Sequence, residues 1–261
     1  MALFNSLNEI VAEAVKKGIE EAGGTATILQ VPETLPTEVL EKMHAPPKPE
    51  YPIIAPADLI DYDAYVLGIA TRFGGWPAQF KAFWDASGQI WASSALAGKL
   101  AGVFVSTGGP YGSGQESTYF SVLSTLVHHG LVFVPLGYKH TKALWLQHFN
   151  EVNGGSPYGA GTFAGDGTRQ PSELELTVAS IQGREFYNTV TKHTPVAVPT
   201  AEQKTLVAAA EKKGEVSTSA AHEKEHTTAS TVKGNIFQAQ QAQEHDGEDY
   251  PTTQAIVGGF L

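Results

Sequence analysis

Two short segments carry residue types suited to chemistry: Thr71-Arg72-Phe73-Gly74-Gly75, and the run from Ser106, Thr107, Gly108 and Gly109 through Pro110 and Tyr111 to Glu116. Each offers hydroxyls, free backbone N–H groups and little side-chain bulk, and each follows an apolar run that reads as a buried strand. In open parallel sheets ligands bind beyond the carboxyl ends of the strands. The pair therefore suits a planar aromatic ligand with polar edges, gripped through backbone contacts. The same composition fits two ordinary glycine-rich turns, and the residues alone leave both readings open.

Other patterns carry less. His222-Glu223-Lys224-Glu225-His226 matches H-E-x-x-H, but a zinc site needs a rigid helix, a third ligand and a supporting shell, and this stretch is low in complexity. Gly159 to Ala164 matches the loose G-x-G-x-x-A form, yet it follows no predicted strand and opens no helix. His128-His129 are adjacent, so on a helix they point in different directions. No Ser/His/Asp arrangement or carboxylate pair is evident. No side chain is assigned a catalytic role, and no metal is expected.

The elements that must position the two loops alternate in type. Residues 6–22 have a helical apolar period, with Ser6 and Glu9 as a capping box. Strands are predicted at 25–31, 64–70, 102–106 and 131–137, and helices at 77–86, 116–129 and 171–192. Continuous apolar strands alternating with helices imply an α/β parallel sheet covered on both faces. MALFN is too short and too poor in β-branched residues for an opening strand, so the sheet looks one strand short.

Composition divides the 261 residues near position 194. Residues 1–193 hold all four tryptophans and carry a charge of −6; residues 194–261 carry −4 and no tryptophan. The second part reads as a disordered acidic tail, with a short helix over 202–214. The net charge of −10 argues against nucleic acid or an anionic membrane surface as the main partner. With no cysteine, disulfides, thiol nucleophiles and Cys-ligated metals are excluded. No apolar run suits a transmembrane span, and a soluble cytoplasmic protein is expected.

Seven motifs then occur in order: Y-D-A-x-x-x-G-x-x-T-R-F-G (62–74), G-x-x-W-A-S (88–93), G-x-G-Q-E-S-T (112–118), L-x-H-H-G (126–130), G-G-S-P-Y-G-A-G-T (154–162), D-G-T-R-Q-P-S-E-x-E-L (166–176) and I-Q-G-R-x-F-Y (181–187). The sequence resembles WrbA-type NAD(P)H:quinone oxidoreductases, especially their fungal flavodoxin-like relatives, over residues 9–193. The resemblance implies a flavodoxin-like, doubly wound sheet of order 2-1-3-4-5, bound FMN, and a tetramer or dimer. It implies ping-pong chemistry in which NAD(P)H reduces the flavin and a quinone then removes both electrons, an antioxidant role. Thr71, Arg72, Phe73 and Gly74 match the loop along the flavin ring; Ser106, Thr107, Gly108 and Gly109 open the second flavin loop. His128 matches a histidine near the flavin, and Trp91 a tryptophan bordering the nicotinamide and quinone pocket. Phe73, Trp76, Trp91 and Tyr111 offer flat walls, although packing or a subunit contact suits Trp76 and Tyr111 better. Trp84 reads as core or interface.

The departures concentrate at the start. The resembled family opens with a strand and S-x-Y-G-H-I, which cradles the FMN phosphate at a helix N-terminus. Here Leu3, Phe4, Asn5, Ser6, Leu7 and Asn8 occupy those places, and only Ser6 retains a useful group, as a cap. Smaller departures are Gly75 for an Asn, a longer second loop containing Pro110 and Tyr111, and a shorter A-G-D-G. The expectations are a missing N-terminal strand or, alternatively, a flavin-poor structural or interaction protein, peripheral at the fungal plasma membrane through its tail.

Overall fold

The computed structural model describes residues 4–43, 45, 48–109, 112–193 and 254–258; side chains are described from Leu7 to His193 within those ranges. The helices are α1 (Phe4–Glu21), α2 (Thr37–Lys42), α3 (Ala78–Asp85), α4 (Gly88–Ala92), α5 (Gln115–His128), α6 (Lys142–Gln147) and α7 (Glu173–Val190). The strands are β1 (Thr25–Leu29), β2 (Ala64–Ala70), β3 (Leu100–Thr107), β4 (Val132–Phe133), β5 (Gly161–Phe163) and β6 (Gln254–Gly258). Every strand pairing is parallel, and the order is β1-β6-β2-β3-β4, with β5 also on β3. With β6 in the place of a first strand and β4 and β5 sharing one edge, this is the expected 2-1-3-4-5 arrangement.

The sheet separates two apolar layers because alternate residues of a strand face opposite sides. Ala64, Val66, Leu100 and Phe104 pack with Val11, Val15 and Ile19 of α1 and with Val178 and Phe186 of α7. Tyr65, Leu67, Ile69, Val103 and Val105 face Phe80, Phe83, Trp84, Val122 and Leu126 of α3 and α5. Gly18 and Gly183 let α1 and α7 touch backbone to backbone. A Cβ on Gly18 would lie 1.9 Å from the Ser180 carbonyl oxygen, and one on Gly183 2.0 Å from that of Val15.

Three expectations change. The first helix begins at Phe4, so Ser6 is a third helical residue and not the N-cap; its side chain lies outside the described residues. The predicted 131–137 strand is only two residues long, because Pro135 brings no N–H to extend the ladder. The missing strand is supplied by β6, five residues of the segment expected to be disordered. The proposed 202–214 helix and the 222–226 motif lie outside the described residues.

Candidate functional site

The two glycine-rich loops leave adjacent strand ends and are bonded together there. Thr71 N–H donates to the Ser106 carbonyl (2.9 Å), and Arg72 and Gly75 exchange backbone hydrogen bonds of 3.0 Å each. Between them Phe73 (φ 52°) and Gly74 (φ 78°) both have positive φ, the pattern of a tight type I′ turn. For Phe73 this costs roughly 1–2 kcal/mol, and its ring stands fully exposed rather than packed. Strain held at a loop tip without a packing return makes this turn a candidate ligand contact.

The second loop supports the first. Gly114 (φ 84°) caps α5 in the left-handed region, and a Cβ there would come 3.6 Å from the Gly74 Cα. Thr71 and Thr118 share a hydroxyl–hydroxyl hydrogen bond, and the Thr118 hydroxyl also reaches the Gly114 carbonyl at 2.7 Å. Arg72 is half-buried and its Nη1 donates to the Thr71 carbonyl (3.1 Å). Burial lowers its pKa, without removing the charge at ordinary pH. Ser106 is fully buried at the end of β3, and its Oγ has no hydrogen-bond partner among the described residues. A buried hydroxyl left unmatched costs about 1–3 kcal/mol.

A third segment closes over the end of β3. Gln115 Nε2 donates to Thr162 O (3.0 Å) and Thr107 Oγ1 (3.4 Å), while its Oε1 accepts from Gly155 N–H (2.8 Å). Below it, the buried Glu175 carboxylate accepts from Gly154 N–H, the Thr162 hydroxyl and Ser172 N–H at 2.7–2.9 Å. Arg169 completes that set at 2.9 and 3.0 Å, with its guanidinium 3.9 Å from the Phe163 ring centre. Gln115, Arg169 and Glu175 are positioning residues absent from the sequence-based site. Ser172-x-x-Glu175, a capping box in the structure, was the readable signal for the last of them.

Trp91 and His128 are not brought to these loops. His128 is exposed at the end of α5, and the turn after it is bonded to the beginning of β3: Gly98 N–H donates to Gly130 O (2.9 Å) and Val132 N–H to Lys99 O (2.9 Å). That is the amino edge of the sheet, opposite the loops. Trp91, 56% exposed, follows Ser87 by one helical turn, and Ser87 Oγ lies 2.7 Å from His129 Nε2 at that same edge. His129 also packs edge-on to Trp84 (4.8 Å), a structural use. Trp76 packs against Phe80 (5.5 Å) and donates to Ser121 O (3.2 Å), and Trp84 is core. Gly108 and Gly109 are half-buried beyond β3, while Pro110 and Tyr111 lie outside the described residues. A surface depression of about 810 Å³ between α1 and α7 takes no wall from either loop.

The model of the NADPH-dependent FMN reductase family matches residues 3–140. The chain is 62% identical over 193 residues to the NAD(P)H quinone oxidoreductase PST3 of Candida albicans, covering 73% of this chain and 95% of that one. It is 59% identical over 182 residues to protoplast secreted protein 2 of Saccharomyces cerevisiae, covering 69% and 90%. Among solved structures, a WrbA-like flavodoxin from Agrobacterium tumefaciens aligns with 72% of this chain and 91% of its own, at 22% identity and a TM-score of 0.45. By family model and by these identities, the chain belongs to the NADPH-dependent FMN reductase family.

Proposed function

We propose that this chain is an FMN-dependent NAD(P)H:quinone oxidoreductase. The observation that carries the reading is the fully buried Ser106 hydroxyl, without a hydrogen-bond partner among the described residues, beside a strained, exposed turn, both at the carboxyl edge of a parallel sheet. A relative 62% identical over 193 residues is named for that activity. The residues present fit FMN. Ser106 offers a hydrogen bond, Phe73 a flat face, Arg72 a fixed positive charge, and Thr71 through Gly74 an unbulky wall. The first turn of α1 has no acidic residue and opens an 18-residue helix, so its free N–H groups suit a phosphate. Asn8 Nδ2 donates to the Gly68 carbonyl near the end of β2 (3.2 Å), which puts that turn at the same sheet edge as the loops.

Bound FMN supplies the chemistry, taking a hydride equivalent from NAD(P)H and passing two electrons to a quinone. The protein's part is to bind, orient and keep water from the ring. No side chain near the loops is asked to move a proton. Thr118 for the first loop, and Gln115 with the Glu175–Arg169 pair for the other two segments, fix the site, so the contacts are set before the ligand arrives.

The same reading includes a homo-oligomer, tetramer or dimer. Trp91 and His128 lie at the edge opposite the loops of their own chain, so the roles implied for them require another copy. Exposed Phe120 and Val127, seven residues apart on α5, offer an apolar contact face. Among the described residues no helix is long and apolar enough to cross a membrane, and we place the protein in the cytoplasm.

Purified full-length chain should carry or acquire flavin absorbance, and should oxidise NADPH only when a quinone such as menadione is present. Colourless protein that gains no FMN on titration and shows no quinone-dependent oxidation would overturn the reading in favour of a flavin-poor interaction protein.

A further inference from the structure

Asn153-Gly154 is the one Asn-Gly pair in the chain, and it stands in the segment that closes over the end of β3. Such a pair can cyclise on itself, because the unhindered glycine nitrogen reaches the side-chain carbonyl carbon of the asparagine. Packing dictates the glycine: a Cβ on Gly154 would lie 2.7 Å from the Gly161 backbone carbonyl carbon. Asn153 is thus left beside the neighbour that makes its thermolabile amide most reactive.

The fold ties both reacting groups to other partners. Gly154 N–H donates to the buried Glu175 Oε1 at 2.7 Å, a charge-assisted bond that keeps the proton on nitrogen. Arg169 holds that carboxylate in place at 2.9 and 3.0 Å. Asn153 Nδ2 donates to the Glu151 carbonyl (3.2 Å), and its Oδ1 accepts from the Ser172 hydroxyl (3.4 Å). Nucleophile and electrophile are therefore both occupied while the segment is closed.

We propose that Asn153 is a self-modification site, locked by Glu175 while the segment is closed and released when the segment opens locally. Once Gly154 N–H leaves the carboxylate, solvent base takes its proton and the nitrogen attacks Asn153 Cγ. The N–Cγ bond forms, the Cγ–Nδ2 bond breaks, and the side-chain nitrogen picks up a proton and leaves as ammonia. Water then opens the resulting succinimide at either carbonyl, giving aspartate or isoaspartate, with no oxidation or reduction. Either product puts a carboxylate where an N–H had met the Glu151 carbonyl. Isoaspartate also adds one methylene to the main chain, which shifts Gly154 and Gly155 away from Glu175 and Gln115. Closure is then not recovered, and the modification records how often the segment has opened. This inference does not depend on the flavin reading.

The test incubates the full-length chain at mildly alkaline pH beside a peptide of residues 148–160. Conversion at Asn153 is read by peptide mass, with chromatography separating the two products. Wild type should convert about tenfold or more slowly than the peptide, and Glu175→Ala should close most of that gap. Equal rates in wild type and peptide, or a folded Glu175→Ala chain as slow as wild type, would overturn the proposal. Because Glu175→Ala loses a buried ion pair and its stability suffers, wild type is also followed in urea below its unfolding transition, with amide exchange read at Gly154. Conversion should rise in step with Gly154 exchange. A conversion rate that stays constant until the whole chain unfolds would also overturn it.

Discussion

β2 and β3 meet along seven register pairs, from Ala64–Leu100 to Ala70–Ser106, and each ends in a loop bonded to the other. Among the described residues β1 does not pair with β2 directly and reaches it through β6, whose first residue is Gln254. The first half of the sheet is built from neighbouring stretches of chain, and its loops are locked by Thr71, Thr118, Gln115 and Glu175. The second half depends on a remote segment. The difference separates where ligand contacts are prepared from where the fold is vulnerable, and substitutions should divide along that line.

The largest effect is expected at Glu175. Replacing it by Ala strands the Arg169 guanidinium and leaves Gly154 N–H and the Thr162 hydroxyl unmatched, costing about 3–5 kcal/mol, the cost typical of breaking a buried ion pair. Chemical denaturation reads it, and a loss near zero would mean that the third segment is not clamped as described. Next, Gly183→Ala should cost about 3 kcal/mol, the upper range for overpacking, because the added methyl meets the Val15 carbonyl. It should unsettle α1 and the half of the sheet it covers, with amide exchange accelerating there more than in β3. Thr71→Val removes the Thr118 partner and should cost about 1 kcal/mol, while weakening FMN binding through the displaced turn.

The smallest effect is one of pH. Burial would raise the Glu33 pKa, but hydrogen bonds from Gln79, Leu35 and Thr34 and the Lys48 charge together hold it below its usual value. A depressed carboxylate contributes stability that is fully present above its unfolded pKa and is lost as pH falls through the folded one. Wild type should therefore exceed Glu33→Gln by less than about 1 kcal/mol at pH 7, and the two should converge as pH drops below about 4. A constant gap down to pH 3 would contradict this.

Much of the better-connected half was legible in the sequence. The apolar runs AYVLGIA and GVFVS announce buried parallel strands, and the hydroxyl- and glycine-rich segments after them announce the loops. Phe73 could be named as part of a loop but not as a strained residue, since φ is set by the turn that Arg72 and Gly75 close. Gln115 reads as an ordinary polar residue, because its partners stand up to 47 positions away in the chain. The need for another central strand was visible, but QAIVG was not recognisable as its source. Five mildly apolar residues after a long polar stretch acquire meaning only from the slot they fill. Trp91 and His128 show the opposite limit: a motif fixes residue identity, while a single chain folds them onto the far edge.

The central claim is that the Ser106 hydroxyl and the Thr71–Gly74 turn hold FMN. It is tested most directly by titrating FMN into full-length wild type and into Ser106→Ala, following quenching of flavin fluorescence, with thermal melts on both proteins. Expected are one FMN per wild-type chain, roughly tenfold weaker binding for Ser106→Ala, a change of about 1.4 kcal/mol, and a flavin-free Tm that is no lower in the variant, which loses an unmatched buried hydroxyl. Equal affinity in the two proteins, or no binding by either, would contradict it.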